Sequence, residues 1–138
     1  MTLLETLIGT WKGYGQKNSA DDEENLYLEI SFQEVDDKKL SGNRILKHID
    51  TQDIVAQKLE LTLIDEFEFS LKIADKTRTY QYMNAPISFQ SAFMGEEDGE
   101  TIHYLDNNFI VNNEWQITLD CQYKDEVETI EFSLEKQS

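Results

Sequence analysis

Arginine is scarce in this chain, and both copies, Arg44 and Arg78, fall inside stretches that alternate apolar and polar residues. A guanidinium presents a rigid fork of donors that can grip a carboxylate at both oxygens, which the compact charge of a lysine cannot do. Arg78 shares one face of its stretch with Tyr80 and Tyr82, and a guanidinium and a phenol on one face can converge on the same anion. Arg44 has no phenol at the equivalent spacing, so Arg78 with Tyr80 or Tyr82 is preferred for holding an anion with an apolar body. The competing reading places Arg78 on a solvent face with its stem packed on the tyrosine rings. Charge sharpens the choice. Twelve basic residues against twenty-eight acidic ones leave a net charge of −16, which repels anions at long range, so a bound carboxylate needs a specific local cation. An arginine inside the fold without an anion is an unpaired buried charge. Arg78 therefore faces solvent, or it faces inward with an acidic partner or a ligand.

Other residue types offer less. His48 and His103 lie on separate stretches with no spaced partner, so no metal site is expected. Either imidazole with a tyrosine could do acid–base work in an interior pocket, which keeps an enzyme as the alternative reading. Trp115 shares a face with Ile117, Leu119, Cys121 and Tyr123 and joins Arg44, Arg78, Tyr80, Tyr82 and His103 as a candidate pocket residue. Cys121, the lone cysteine, reads as a small core hydrophobe rather than a nucleophile. The acidic stretches Asp21–Glu24 and Glu96–Glu100 lack the spacing of a calcium loop, and no phosphate-binding loop or nucleophile elbow is present. No catalytic residue is assigned and no cofactor is expected. Binding is favoured over catalysis, because no pair of titrating groups recurs at a fixed spacing; pairs formed across strands do not show in a sequence.

The elements that must position these residues alternate with a period of two along most of the chain, the signature of half-buried strands. Leu26, Leu28, Ile30 and Phe32 share a face; Val55, Leu59, Leu61 and Leu63 share another; Phe67, Phe69, Leu71 and Ile73 a third. Both faces of the stretch from Leu40 to Ile49 are mixed. A strand over Thr101–Leu105, a turn at Asp106-Asn107-Asn108 and a short strand over Phe109–Val111 are expected, then a break at Asn112-Asn113. The only proline, Pro86, belongs in a connection. The whole chain, residues 1–138, reads as one domain of about ten antiparallel strands.

These strands are organised around Gly9-Thr10-Trp11-Lys12-Gly13-Tyr14-Gly15, which follows an apolar run, Leu3–Ile8, fit for a short helical turn. As a strand it turns Trp11, Gly13 and Gly15 one way, so the indole can plug one end of an enclosed space while the glycines allow a bend. A sandwich usually needs long crossing connections, and none exceeds about a dozen residues. An all-β, up-and-down barrel of about ten strands with a short N-terminal helical turn is the expected fold.

A helical turn leading into a Gly-x-Trp strand resembles the calycin superfamily of lipocalins, fatty-acid-binding proteins and nitrobindins. Gly9-x-Trp11-x-Gly13-x-Gly15 is most similar to the nitrobindin-like branch. The resemblance implies a barrel with an interior pocket for a small apolar or amphipathic molecule, such as a lipid. It also implies a basic residue of the last strand packed over the tryptophan, a part only Lys136 could play. Fatty-acid-binding proteins use an Arg-x-Tyr pair on their final strand; here the pair lies mid-chain. The nitrobindin haem ligand is a histidine of the last strand, and Val127–Lys136 contains none, so haem binding does not transfer.

The acidic balance argues against a nucleic-acid partner and an anionic membrane surface. No apolar run reaches transmembrane length and no basic leader precedes an apolar core, so a cytoplasmic location is expected. A pocketless barrel acting through its acidic surface remains a third function, and the oligomeric state is left open.

Overall fold

The computed structural model describes residues 2–137. A short helix, α1 (Leu3–Leu7), precedes ten strands: β1 (Gly9–Asn18), β2 (Glu23–Asp36), β3 (Lys39–His48), β4 (Ile54–Leu63), β5 (Glu68–Ile73), β6 (Lys76–Asn84), β7 (Ile87–Glu97), β8 (Glu100–Val111), β9 (Glu114–Tyr123) and β10 (Glu126–Lys136). Each strand pairs antiparallel with its sequence neighbours, and β1 pairs with β10 to close the barrel. Closure leaves no edge with a full row of unpaired backbone groups.

Closure depends on a close approach between β1 and β10. Gly13 stands opposite Leu134, and a Cβ at Gly13 would come within 1.9 Å of the Ser133 carbonyl oxygen. Turn chemistry sets the registers elsewhere. Asn112 and Asn113 both take positive φ, the conformation a tight two-residue hairpin requires and asparagine tolerates.

One difference from the sequence reading matters for the site. Asp106-Asn107-Asn108 is not a turn. β8 runs unbroken through it, paired with β7 on one side and β9 on the other. Val55 keeps the face of Leu59 and Leu61 but is exposed, because β4 at that point runs beyond the end of β5, which stops at Ile73 opposite Leu59.

The two ends of the barrel are unlike. At one, α1 lies across the opening with Leu3, Leu4 and Leu7 buried. Thr2 caps the helix, and the Leu3 amide donates to Asn84 Oδ1 at 2.8 Å, tying it to the end of β6. Trp11 is fully buried beneath it and donates its indole N–H to the Leu7 carbonyl at 3.2 Å. Lys136 closes the arrangement: its ammonium lies 5.5 Å from the Trp11 ring centroid and donates to the Thr6 carbonyl at 2.9 Å. That is the packing the resemblance implied for the last strand. The opposite end carries polar side chains, including the pairs Lys17–Glu128, at 3.3 Å, and His48–Glu24.

Candidate ligand-binding site

Inward alternation fills the plugged half of the barrel with aromatic rings. Trp115 meets Trp11 edge-on at 5.5 Å, Phe89 meets Trp115 at 5.8 Å, and Tyr80 stacks flat on Phe69 at 5.0 Å. Edge-on and offset contacts of this kind add to the burial of the rings themselves. Above them a cavity of about 120 Å³ remains, walled mainly by leucine, isoleucine and phenylalanine from every side of the barrel.

The polar groups in this wall are few and converge. Arg44 of β3, Arg78 and Tyr80 of β6, Asp106 and Asn108 of β8 and Trp115 of β9 all line it. Trp115 donates its indole N–H to Asn108 Oδ1 at 2.9 Å, and Asn108 Nδ2 donates to Asp106 Oδ1 at 3.0 Å. An indole nitrogen can only donate, so Trp115 fixes which way the Asn108 amide points. The Tyr80 hydroxyl donates to the other oxygen, Asp106 Oδ2, at 2.5 Å. Both carboxylate oxygens are thus engaged from within the wall.

The two guanidiniums are less well served. Among the described residues no carboxylate lies within 4.0 Å of Arg44 or Arg78. Arg78 lies flat over the Phe93 ring at 4.0 Å, and Phe93 stacks on Tyr104 at 4.8 Å, so a cation–π contact holds it at the cavity edge. Arg44 has a buried Nε with no hydrogen-bond partner. Such an orphan donor is expensive in a core, and a charged one more so.

Charge in this wall is therefore unbalanced: two cations face one carboxylate. Burial, and next the like charge of Arg78, push the Arg44 guanidinium below its usual value, against the pull of Asp106 and Tyr80. Burial also raises the Asp106 carboxyl, although the hydrogen bonds from Tyr80 and Asn108 and both arginines oppose it. Tyr80 is raised by burial and by the Asp106 charge and stays a phenol.

These positions sort the sequence-derived candidates. Arg78, Tyr80, Arg44 and Trp115 meet in one wall. Tyr82 is buried but lies outside it, its hydroxyl donating to the Asp65 carbonyl at 2.9 Å in the β4–β5 turn. His103 is a correction: it is exposed on the outer surface of β8, because Ile102 and Tyr104 take the inward positions. His48 sits at the polar rim against Glu24. Neither histidine lines the cavity, so the histidine–tyrosine acid–base pair is not assembled there. Cys121 lies in a recess of the open end with Tyr104 and Glu128; burial, with the Glu128 charge, pushes its thiol up to about 11, so it is not a thiolate at neutral pH.

Asp106 and Asn108 were missed because an Asp-Asn-Asn run has turn composition. The signal that finds them is alternation: Ile102, Tyr104, Asp106, Asn108 and Ile110 keep one parity without a break, and each faces inward.

No protein-family model matches the chain, and no curated protein matches it by sequence. Solved structures do resemble it. Rv2717c from M. tuberculosis superposes with a TM-score of 0.76 at 14% identity, over 98% of this chain and 95% of that one. The S-type phycobiliprotein lyase CPES from Guillardia theta gives 0.69 at 8% identity, over 100% and 94%. EF1p2_mFAP2b, solved bound to DFHBI, gives 0.50 at 8%, over 97% and 96%. At such identities the likeness shows the fold alone, and the closed ten-stranded barrel fits a calycin-like, lipocalin-type fold.

Proposed function

We propose that this barrel is a non-catalytic binding protein for a small anion with an apolar body. The acidic group is received by Arg44 and Arg78, and the body lies against the leucine and isoleucine wall. One observation carries this reading: Arg44 faces an apolar cavity with a buried, unpartnered N–H. A carboxylate there gives the guanidinium the counter-charge it lacks and balances the second cation. Likeness to a barrel solved bound to DFHBI supports a ligand-holding interior.

Cavity size narrows the class. An apolar cavity of about 150 Å³ takes benzene, and this one measures about 120 Å³. A short-chain carboxylate fits; a single-ring one needs the wall to give slightly, and a long acyl chain or a tetrapyrrole needs it to move outright. Calorimetric titration with benzoate and hexanoate should show saturable binding, at least about tenfold weaker for benzyl alcohol and hexanol, which lack the charge-assisted contact. Equal affinity for acid and alcohol, or no binding of either acid, overturns the proposal.

The raised Asp106 carboxyl adds a pH dependence. With a folded-state pKa above the unfolded one, its stabilising contribution is fully present below the unfolded value and is lost as pH rises through the folded value. Ionisation also adds a negative charge beside the anion. Stability and anion affinity should therefore both decline as pH climbs through that range. Asp106→Asn, which holds the neutral state, its oxygen accepting from Asn108 and its amide donating to the Tyr80 hydroxyl, should flatten both profiles and tighten benzoate at neutral pH about tenfold or more. Urea unfolding and benzoate titration of both proteins, each from pH 4 to pH 8, check this; parallel profiles for the two proteins refute it.

A further inference from the structure

The outer surface of the barrel is uneven in charge. On β6 from Thr77 to Met83, on β7 from Ser88 to Met94 and on β8 from His103 to Val111, no outward position carries Asp, Glu, Lys or Arg. Each of the other strands has at least one charged outward side chain, as expected for a chain with forty charged residues among 138. These three strands are neighbours, so the uncharged positions form one continuous face. Apolar side chains stand out from it: Met94 is 69% exposed, Met83 56%, Phe109 44%, and Leu105 and Val111 41% each. Across its middle, Gln81 pairs with Gln90 and Gln90 with Asn107, a row of three primary amides on adjacent strands. A shallow recess bounded by Met83, Ser88 and this row indents the face.

We infer that this face is where a second copy of the chain docks, as an isologous dimer. Charge selects the partner. Two copies at −16 repel each other wherever their carboxylates face, and this face lets them touch without bringing carboxylates together. A basic partner would be drawn to the acidic surface elsewhere and would gain nothing from an uncharged face. Primary amides donate and accept equally, so a row of them satisfies its own copy across a two-fold axis. The area sets the strength. Three strands about 4.8 Å apart, each with four or five outward residues, cover on the order of 400–500 Å² per copy. The total of roughly 800–1,000 Å² sits at the low end of specific interfaces, so the dimer is weak and forms reversibly.

Sedimentation velocity on the full chain, from about 5 to 500 µM, tests this at two salt concentrations. The expected result is a mass rising with concentration from 16.1 kDa towards twice that value. Association should strengthen from about 0.05 to 0.3 M NaCl, as salt screens the repulsion. Met94→Glu and Leu105→Glu each put a carboxylate in the face and should abolish the rise. Tyr14→Glu, exposed on β1, should leave it intact. Thermal melts at low concentration confirm that the variants fold. A wild-type chain that stays single at the highest concentration and salt overturns the inference and leaves the face to a different partner. A dimer that survives both glutamate substitutions, or that Tyr14→Glu disrupts, overturns it equally.

Discussion

Replacing Trp11 by alanine should lower the free energy of unfolding by about 3–5 kcal/mol, the range for deleting a fully buried aromatic side chain. The side chain has no solvent exposure and joins three parts of the fold. Its N–H holds the last turn of α1 through the Leu7 carbonyl, its ring edge meets Trp115 of β9, and its face receives Lys136 of β10. It also sits in the ladder that closes the barrel, opposite Lys136 on one side and Ile30 on the other. Alanine leaves a void beneath a five-residue helix, which is too short to persist without its packing. Urea unfolding at constant slope measures the effect, and a loss under about 1 kcal/mol would refute the plug role. Trp11→Phe, which fills most of the space but gives up the hydrogen bond, should fall between the two proteins.

Arg44→Met should act in the opposite direction on stability while removing function. The guanidinium is held below its usual pKa by burial and by Arg78, and its Nε has no partner, so it is a net liability to the folded state without an anion. Methionine fills similar space in an apolar wall, and replacing a poorly compensated buried charge by an apolar group is often neutral or stabilising by roughly 1–4 kcal/mol. Binding of benzoate should weaken by at least about thirtyfold, the equivalent of some 2 kcal/mol for a charge-assisted contact. Unfolding and titration on the same preparation separate the two effects. A residue kept only for packing would lose stability and leave affinity alone; that pattern would remove Arg44 from the site. Arg78→Met should weaken binding less, since its guanidinium already rests on Phe93.

Alternation made the strands legible in the sequence, but not their consequences inside the barrel. Arg78 and Tyr80 could be placed on one face from spacing alone. That this face points inward, and that Arg44 from β3 and Asp106 from β8 meet it there, follows from closing the sheet. Residues 34 positions apart, as Arg44 and Arg78 are, share no local pattern that could announce their meeting. Asp106-Asn107-Asn108 shows the same limit from the other side. Its composition favours a turn, but Tyr80 and Trp115 supply the hydrogen bonds that make a strand affordable there, and neither is close in sequence.

By itself, then, the sequence determined the elements: a period of two with turn-forming breaks dictates short antiparallel strands, and Gly13 beside Trp11 dictates a first strand that can be approached closely and plugged. It also determined the acidic surface, which is a property of composition. Tertiary structure alone decided which arginine lacks a partner, that Tyr82 and His103 lie outside the cavity wall, and how much space the aromatic rings leave. It also decided that the uncharged positions of three strands form one face. The physical reason is common to all four: burial, pairing and volume are properties of side chains brought together across the barrel, and the local alternation that specifies a strand is blind to what the other strands place opposite it.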